Sequence, residues 1–300
     1  MKEPAVTSLS VLPYLIHLRP RSWPTVGGHV LAGVLMAKGL AVFSDLGLLG
    51  KALLGCALWT VCLNGGTLAF NSAMDRDEGD IGFLNNPPPV PPRLGLFGFG
   101  VMLAGGLGSL ALGFPYLSIY LFSVFMSWLY SAPPARLKAR GGWDVAINMV
   151  GYGALTALAG WLAVADPPRG ADWMIFAGFA FLFAAVYPMT QFYQKQEDLR
   201  KAARTLVLVL GDTRSMLFIH LSLACATASW LIAALGRQIA LVNPLSPLGW
   251  SCLAFQAVLW FLFAAHWWIT FPRYPHQKGL YRAMALWAVS NIALVISFSG

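Results

Sequence analysis

Nine apolar runs, each close to bilayer-spanning length, leave this chain few folds to choose from. A spanning helix needs about twenty mostly apolar residues. Such runs lie at roughly 25–44, 50–73, 94–113, 115–131, 145–165, 172–191, 215–236, 248–270 and 279–298. In lipid every backbone polar group must find its partner within the protein, and runs of this length meet that demand as helices. Charge is correspondingly scarce: 11% of residues are charged and 58% hydrophobic, against about a quarter and about half in soluble domains. The expected fold is all-α, a polytopic membrane bundle of about nine transmembrane helices around a central cavity.

Residues 1–24 contain Pro4, Pro13, Pro20 and Pro24 and read as an N-terminal interfacial segment, with an amphipathic stretch at 8–18. They lack an apolar core ahead of a small-residue cleavage site, so a removed signal peptide is not expected. Residues 25–300 form the expected transmembrane domain. Cys56, Cys62, Cys225 and Cys252 fall inside apolar runs without metal-ligand spacing and read as small buried residues. The net charge of +8 does not point to nucleic acid, because the basic residues are spread over loops flanking the spans. Of the 20 Lys and Arg, 16 fall on one side of a nine-span layout. The positive-inside bias predicts that side, with the N-terminus, to be cytoplasmic. The lipid bilayer is the expected surrounding.

Asp75-Arg76-Asp77-Glu78-Gly79-Asp80 holds four of the chain's 12 carboxylates at the end of the second run. Four negative charges against one Arg repel one another unless a cation binds. Asn71, Asp75 and Glu78 stand at i, i+4 and i+7, one helical face if the helix persists; Asp80 lies nearer the opposite side. Their oxygens are a hard-ligand set suited to Mg²⁺, which keeps waters and accepts phosphate oxygens. The competing reading is a solvated acidic loop. Pro87 to Pro92 follows, an extended stretch that serves as stiff lid or inert connector.

Two further constellations fall on the same face. Gln191, Gln194 and Asp198 stand at i, i+3 and i+7 after the sixth run. Their amides can donate to phosphate oxygens and Asp198 can help hold a metal; a polar helix end at the interface is the plainer alternative. Tyr130-Ser131-Ala-Pro-Pro-Ala-Arg136-Leu-Lys138-Ala-Arg140 ends a span sharply and follows it with fixed cations. Arg136 and Lys138 beside metal-bound oxygens would suit a diphosphate.

The ordered set Asn71-x-x-x-Asp75, the run from Tyr130, and Asp198 ahead of Arg204-Thr205-Leu206 resembles the UbiA superfamily of intramembrane prenyltransferases, over roughly residues 20–215. The resemblance implies a nine-helix bundle open laterally to lipid, with two Mg²⁺-dependent acidic motifs holding an isoprenyl diphosphate. It implies catalytic roles for Asn71, Asp75 and Asp198. Metal contacts would come from Asn71, Asp75, Glu78, Asp80, Gln194 and Asp198. Diphosphate contacts would come from Tyr130, Ser131, Arg136, Lys138, Gln191, Gln194 and Arg204. In the family the first motif's last acid stands at the Gly79 position, so Asp77, Glu78 or Asp80 must substitute. Gln191 and Gln194 stand where the second motif usually carries acids, and Asn85-Asn86-Pro87 replaces a basic stretch.

The implied activity is Mg²⁺-dependent transfer of an isoprenyl group to a lipophilic or aromatic acceptor within the membrane. Tyr152, Trp161, Phe192 and Trp268 are candidate π-faces for an allylic cation. A terpene cyclase of the same fold, using no acceptor, is the first alternative. An ion-coupled secondary transporter is the second, disfavoured by acids at one membrane face rather than mid-bilayer.

Overall fold

The structure, a computed structural model, describes residues 11–76, 81–82, 84–200, 202–271 and 273–299, with Glu197 in backbone only. Nine long helices form the bundle among the described residues. They are α1 (Trp23–Lys38), α2 (Leu46–Asp75), α3 (Leu94–Ser109), α4 (Phe114–Ser131), α5 (Trp143–Val164), α6 (Trp173–Arg200), α7 (Asp212–Ala240), α8 (Pro247–Thr270) and α9 (His276–Phe298). Eight of the helical stretches are long and apolar enough to cross a membrane; α4 falls outside that set. Its three tyrosines and four serines lower its apolarity.

Local signals start the helices. Asp45 Oδ1 accepts from the backbone N–H of Gly47 (2.8 Å) and Leu48 (3.0 Å), capping α2. Ser246 Oγ does the same for α8 through Gly249 N–H at 3.1 Å, with Pro247 in the first turn, where its missing N–H costs nothing. Pro188 lies inside α6 and removes one rung of its ladder a turn before Gln191.

Helices in lipid gain little from hiding apolar surface from one another, so close backbone approach and interhelical hydrogen bonds hold the bundle. α1 packs on the second half of α5 and on α9; α2 packs on α3, and α6 on α5 and α7. A Cβ on Gly33 would collide with the Ala157 carbonyl, and one on Gly160 with that of Val30. The α1–α5 contact therefore runs backbone against backbone. Gly66 and Gly98 repeat the device between α2 and α3, each hypothetical Cβ falling 2.7 Å from the other's carbonyl oxygen. The buried His29 ring bonds the Gly153 carbonyl at 2.9 Å and Asn291 Oδ1 at 2.7 Å, joining α1, α5 and α9.

The N-terminal segment is more than an interfacial float. Residues 1–10 of the expected stretch lie outside the described residues. Beyond them, Leu12–His17 is helical, with Val11, Leu12 and Leu15 exposed but His17 fully buried. Tyr14 OH donates to the Pro92 carbonyl (2.7 Å) and His17 Nε2 bonds that of Pro88 (3.2 Å). The segment thus pins the extended proline stretch over the end of α2.

Two wide π-helical stretches, Leu58–Gly65 in α2 and Met149–Leu155 in α5, carry Trp59, Asn64 and Tyr152. Such turns re-aim side chains and recur at functional sites. Here both line one cavity.

Candidate active site

The site is built where α2 ends. The helix stops at Asp75, and Arg76 takes a left-handed conformation (φ 52°). The helical face expected to run on to Glu78 is therefore broken at Arg76; Asp77, Glu78, Gly79 and Asp80 lie outside the described residues. Asn71 and Asp75 remain one turn apart on one face. Their oxygens converge on a single cation: the Lys138 ammonium donates to Asn71 Oδ1 (2.6 Å) and to Asp75 Oδ2. Arg136 Nη2 holds the other carboxylate oxygen, Asp75 Oδ1, at 3.1 Å. Lys138 is largely buried (13% exposed), Asp75 is 19% exposed, and Arg136 is open at 52%. Ser131 Oγ donates to Asn71 Oδ1 at 3.3 Å and fixes the amide's orientation.

The loop carrying those cations is fastened from beneath. Arg204 contributes its backbone there, its N–H bonding the Ala139 carbonyl at 3.2 Å. Sequence reasoning missed the residue that anchors the junction. Asp144, fully buried, accepts from Gln191 Nε2 (2.6 Å) and from Leu206 N–H (2.9 Å), and Gln191 Oε1 accepts from Val207 N–H (3.1 Å). Gln191 does not face a diphosphate, then: it is 3% exposed and both ends of its amide are held inside the protein. An ionisable residue at the edge of an apolar run, one position ahead of 145–165, was the available signal.

Gln194 is exposed on the next turn and Asp198 half-buried on the last. Tyr130 and Tyr187 share a hydrogen bond of 2.6 Å between hydroxyls. The pair ties the end of α4 to α6. Among the described residues no cluster of three or more His, Cys, Asp or Glu could hold a metal ion. At the first motif, however, the donor set fits a hard cation: two oxygens already meet on one positive charge, with the Lys138 ammonium in its place.

Beneath Asn71 opens a cavity of about 200 Å³, walled by α2, α4 and α5. Trp59, Tyr130 and Tyr152 give it aromatic faces, and Asn64, Thr67, Ser127 and Asn148 add polar points. Of the four aromatic candidates only Tyr152 lines this cavity, its hydroxyl donating to Asn64 Oδ1 at 3.1 Å. Trp161 bonds the Asp166 carbonyl, Phe192 packs with Trp267 and Phe271, and Trp268 lies against His220. Arg19 was also missed: buried, it donates to Ser72 Oγ (2.7 Å) and the Gly82 carbonyl (3.2 Å), tying the end of α2 to Gly82.

A family model for UbiA prenyltransferases matches residues 23–289. The chain belongs to the UbiA prenyltransferase family. Solved UbiA structures share its fold. A UbiA homolog from Archaeoglobus fulgidus bound to GPP and Mg²⁺ superposes with a TM-score of 0.67 at 18% identity, covering 94% of this chain and 99% of that one. The same homolog bound to Cd²⁺ gives 0.65 at 16% identity, with the same coverages of 94% and 99%. A digeranylgeranylglyceryl phosphate synthase gives 0.71 at 16% identity, covering 96% of this chain and 98% of that one. No curated protein matches in sequence. Family and helices together make this UbiA protein an integral multi-pass membrane protein.

Proposed function

We propose that this UbiA family member transfers an isoprenyl group from an isoprenyl diphosphate to a lipophilic or aromatic acceptor, with Mg²⁺ at the first acidic motif. The observation that carries the reading is the meeting of Asn71 Oδ1 and Asp75 Oδ2 on one cation at the mouth of an aromatic-walled cavity. A. fulgidus homolog structures bound to GPP or DMAPP with Mg²⁺ support it. Asn71 and Asp75 would hold the ion, with Asp198 and Gln194 from the end of α6 and Glu78 or Asp80 completing the set. Bound there, Mg²⁺ would neutralise charge on the diphosphate and make it a better leaving group.

The chain's own residues do the rest. Lys138 and Arg136 exchange Asp75 for phosphate oxygens and hold the leaving group. The carbon–oxygen bond breaks with its electron pair going to the diphosphate, leaving an allylic cation on the isoprenoid. Tyr152 and Tyr130 turn π-faces to that cation where water is scarce and the attraction strongest. A nucleophilic atom of the acceptor forms the new bond and gives up a proton. The positive-inside bias of the basic loops supports a site facing the cytoplasm.

The test is direct. Purified protein is incubated with Mg²⁺, isoprenyl diphosphates and a panel of acceptors, and pyrophosphate and product masses are measured. Prenylated acceptor is expected. A cyclised hydrocarbon or alcohol formed without acceptor would replace the transferase with a cyclase, and absence of diphosphate cleavage would end both.

A further inference from the structure

The cavity has a charged mouth and an uncharged floor. Its α2 wall descends from Asn71 through Thr67 and Leu63 to Trp59. The helix rises roughly 18 Å over that distance at 1.5 Å per residue, slightly less through its π-helical stretch. α4 runs alongside in register: Ser131 meets Asn71, Ser127 meets Thr67 (2.9 Å), and Ser123 lies one turn further down. Trp59 closes the far end. It is 3% exposed, its Nε1 donates to Thr156 Oγ1 at 3.1 Å, and its ring stands edge-on to Tyr116 and Tyr120 at 6.2 and 6.0 Å. Behind it both tyrosines are fully buried and anchored, to the Gly55 carbonyl (2.8 Å) and the Met102 carbonyl (3.1 Å). The floor is thus a hydrogen-bonded aromatic stack that cannot swing aside one ring at a time.

An isoprene unit adds four chain carbons, about 5 Å when extended with bonds of about 1.5 Å. We infer that Trp59 is a chain-length gauge: resting on the proposed isoprenyl-diphosphate reading, it admits about three isoprene units between Asn71 and the floor and turns away a fourth. Removing its ring uncovers the Tyr116–Tyr120 pair as a second floor, deep enough for about one unit more.

The test measures calorimetric binding of geranyl, farnesyl and geranylgeranyl diphosphates to the full chain in Mg²⁺, without acceptor. The intact chain should bind the first two at least about ten-fold tighter than the third, whose last five-carbon unit finds no apolar room. Trp59→Ala should bring geranylgeranyl diphosphate to within about three-fold of farnesyl while leaving geranyl unchanged. Ser123→Leu, filling the deep end from the other wall, should weaken farnesyl about ten-fold and spare geranyl. An unchanged length profile in Trp59→Ala, with geranyl diphosphate still bound, overturns the gauge and leaves the proposed function standing. If Trp59→Ala does not fold, an unchanged profile in Ser123→Leu overturns it equally. Binding of none of the three diphosphates by the intact chain removes the proposed function, and the gauge with it.

Discussion

Replacing Gln191 by Glu tests what the junction beneath the active-site loop does. Gln191 Nε2 lies 2.6 Å from Asp144 Oδ2, and Asp144 is fully buried. Glu at 191 would set a second carboxylate where the amide now donates. Two charges at that separation repel by about 6 kcal/mol at an effective dielectric of 20. The pair can escape by taking up one proton, which at neutral pH costs a carboxyl of ordinary acidity about 4 kcal/mol and so caps the loss. The expected loss is about 3–4 kcal/mol, with a fall in melting temperature of roughly 10 °C in detergent. Lys138 and Arg136, carried on the loop that Asp144 anchors, should lose hold of diphosphate as well. The decisive assay is a double-mutant cycle. Asp144→Asn with Gln191→Glu exchanges the partners: the new amide donates to the new carboxylate, and its oxygen can still accept from Leu206 N–H. That swap should recover more than half the loss. Full stability in Gln191→Glu alone, or no recovery in the swap, would refute the junction. The outcome also decides whether acids at this position could serve a metal here, since the geometry says they would meet Asp144 first.

Asp75→Ala should nearly abolish Mg²⁺-dependent diphosphate cleavage while the protein still folds and inserts; substantial activity in membranes would remove Asp75 from the metal site. Lys138→Ala should raise KM for the diphosphate about ten-fold or more, the loss of a charge-assisted contact, with a weaker effect from Arg136→Ala because that side chain is open to solvent; steady-state kinetics rank the two. Asp198→Asn should lower kcat by at least about ten-fold, whereas Gln194→Ala should act mainly on metal affinity, read as the Mg²⁺ concentration giving half-maximal rate. Gly33→Leu should push α1 off α5, costing about 3 kcal/mol or more and lowering the yield of folded protein in detergent; normal thermal stability would mean the two helices can part without penalty.

The membrane bundle was legible in the chain because lipid demands long apolar helices, a property each segment carries by itself. The Asn71–Asp75 pair was legible for a related reason: residues one turn apart share a face wherever the helix goes. The same local logic reaches only as far as Arg76, whose left-handed backbone ends the helix, and Glu78 lies outside the described residues. What the sequence could not decide is which side of each helix turns inward. Spans apolar all round carry no stripe to read, so Tyr152 and Trp161 looked alike until packing put one on the cavity and the other against Phe176. Gln191 looked like a ligand because its spacing matched Asp198, yet its partners, Asp144, Leu206 and Val207, come from two other segments. Only the folded bundle brings Lys138 to Asn71 and Asp75. Those contacts join residues far apart in sequence, and helix packing, not local spacing, chooses them.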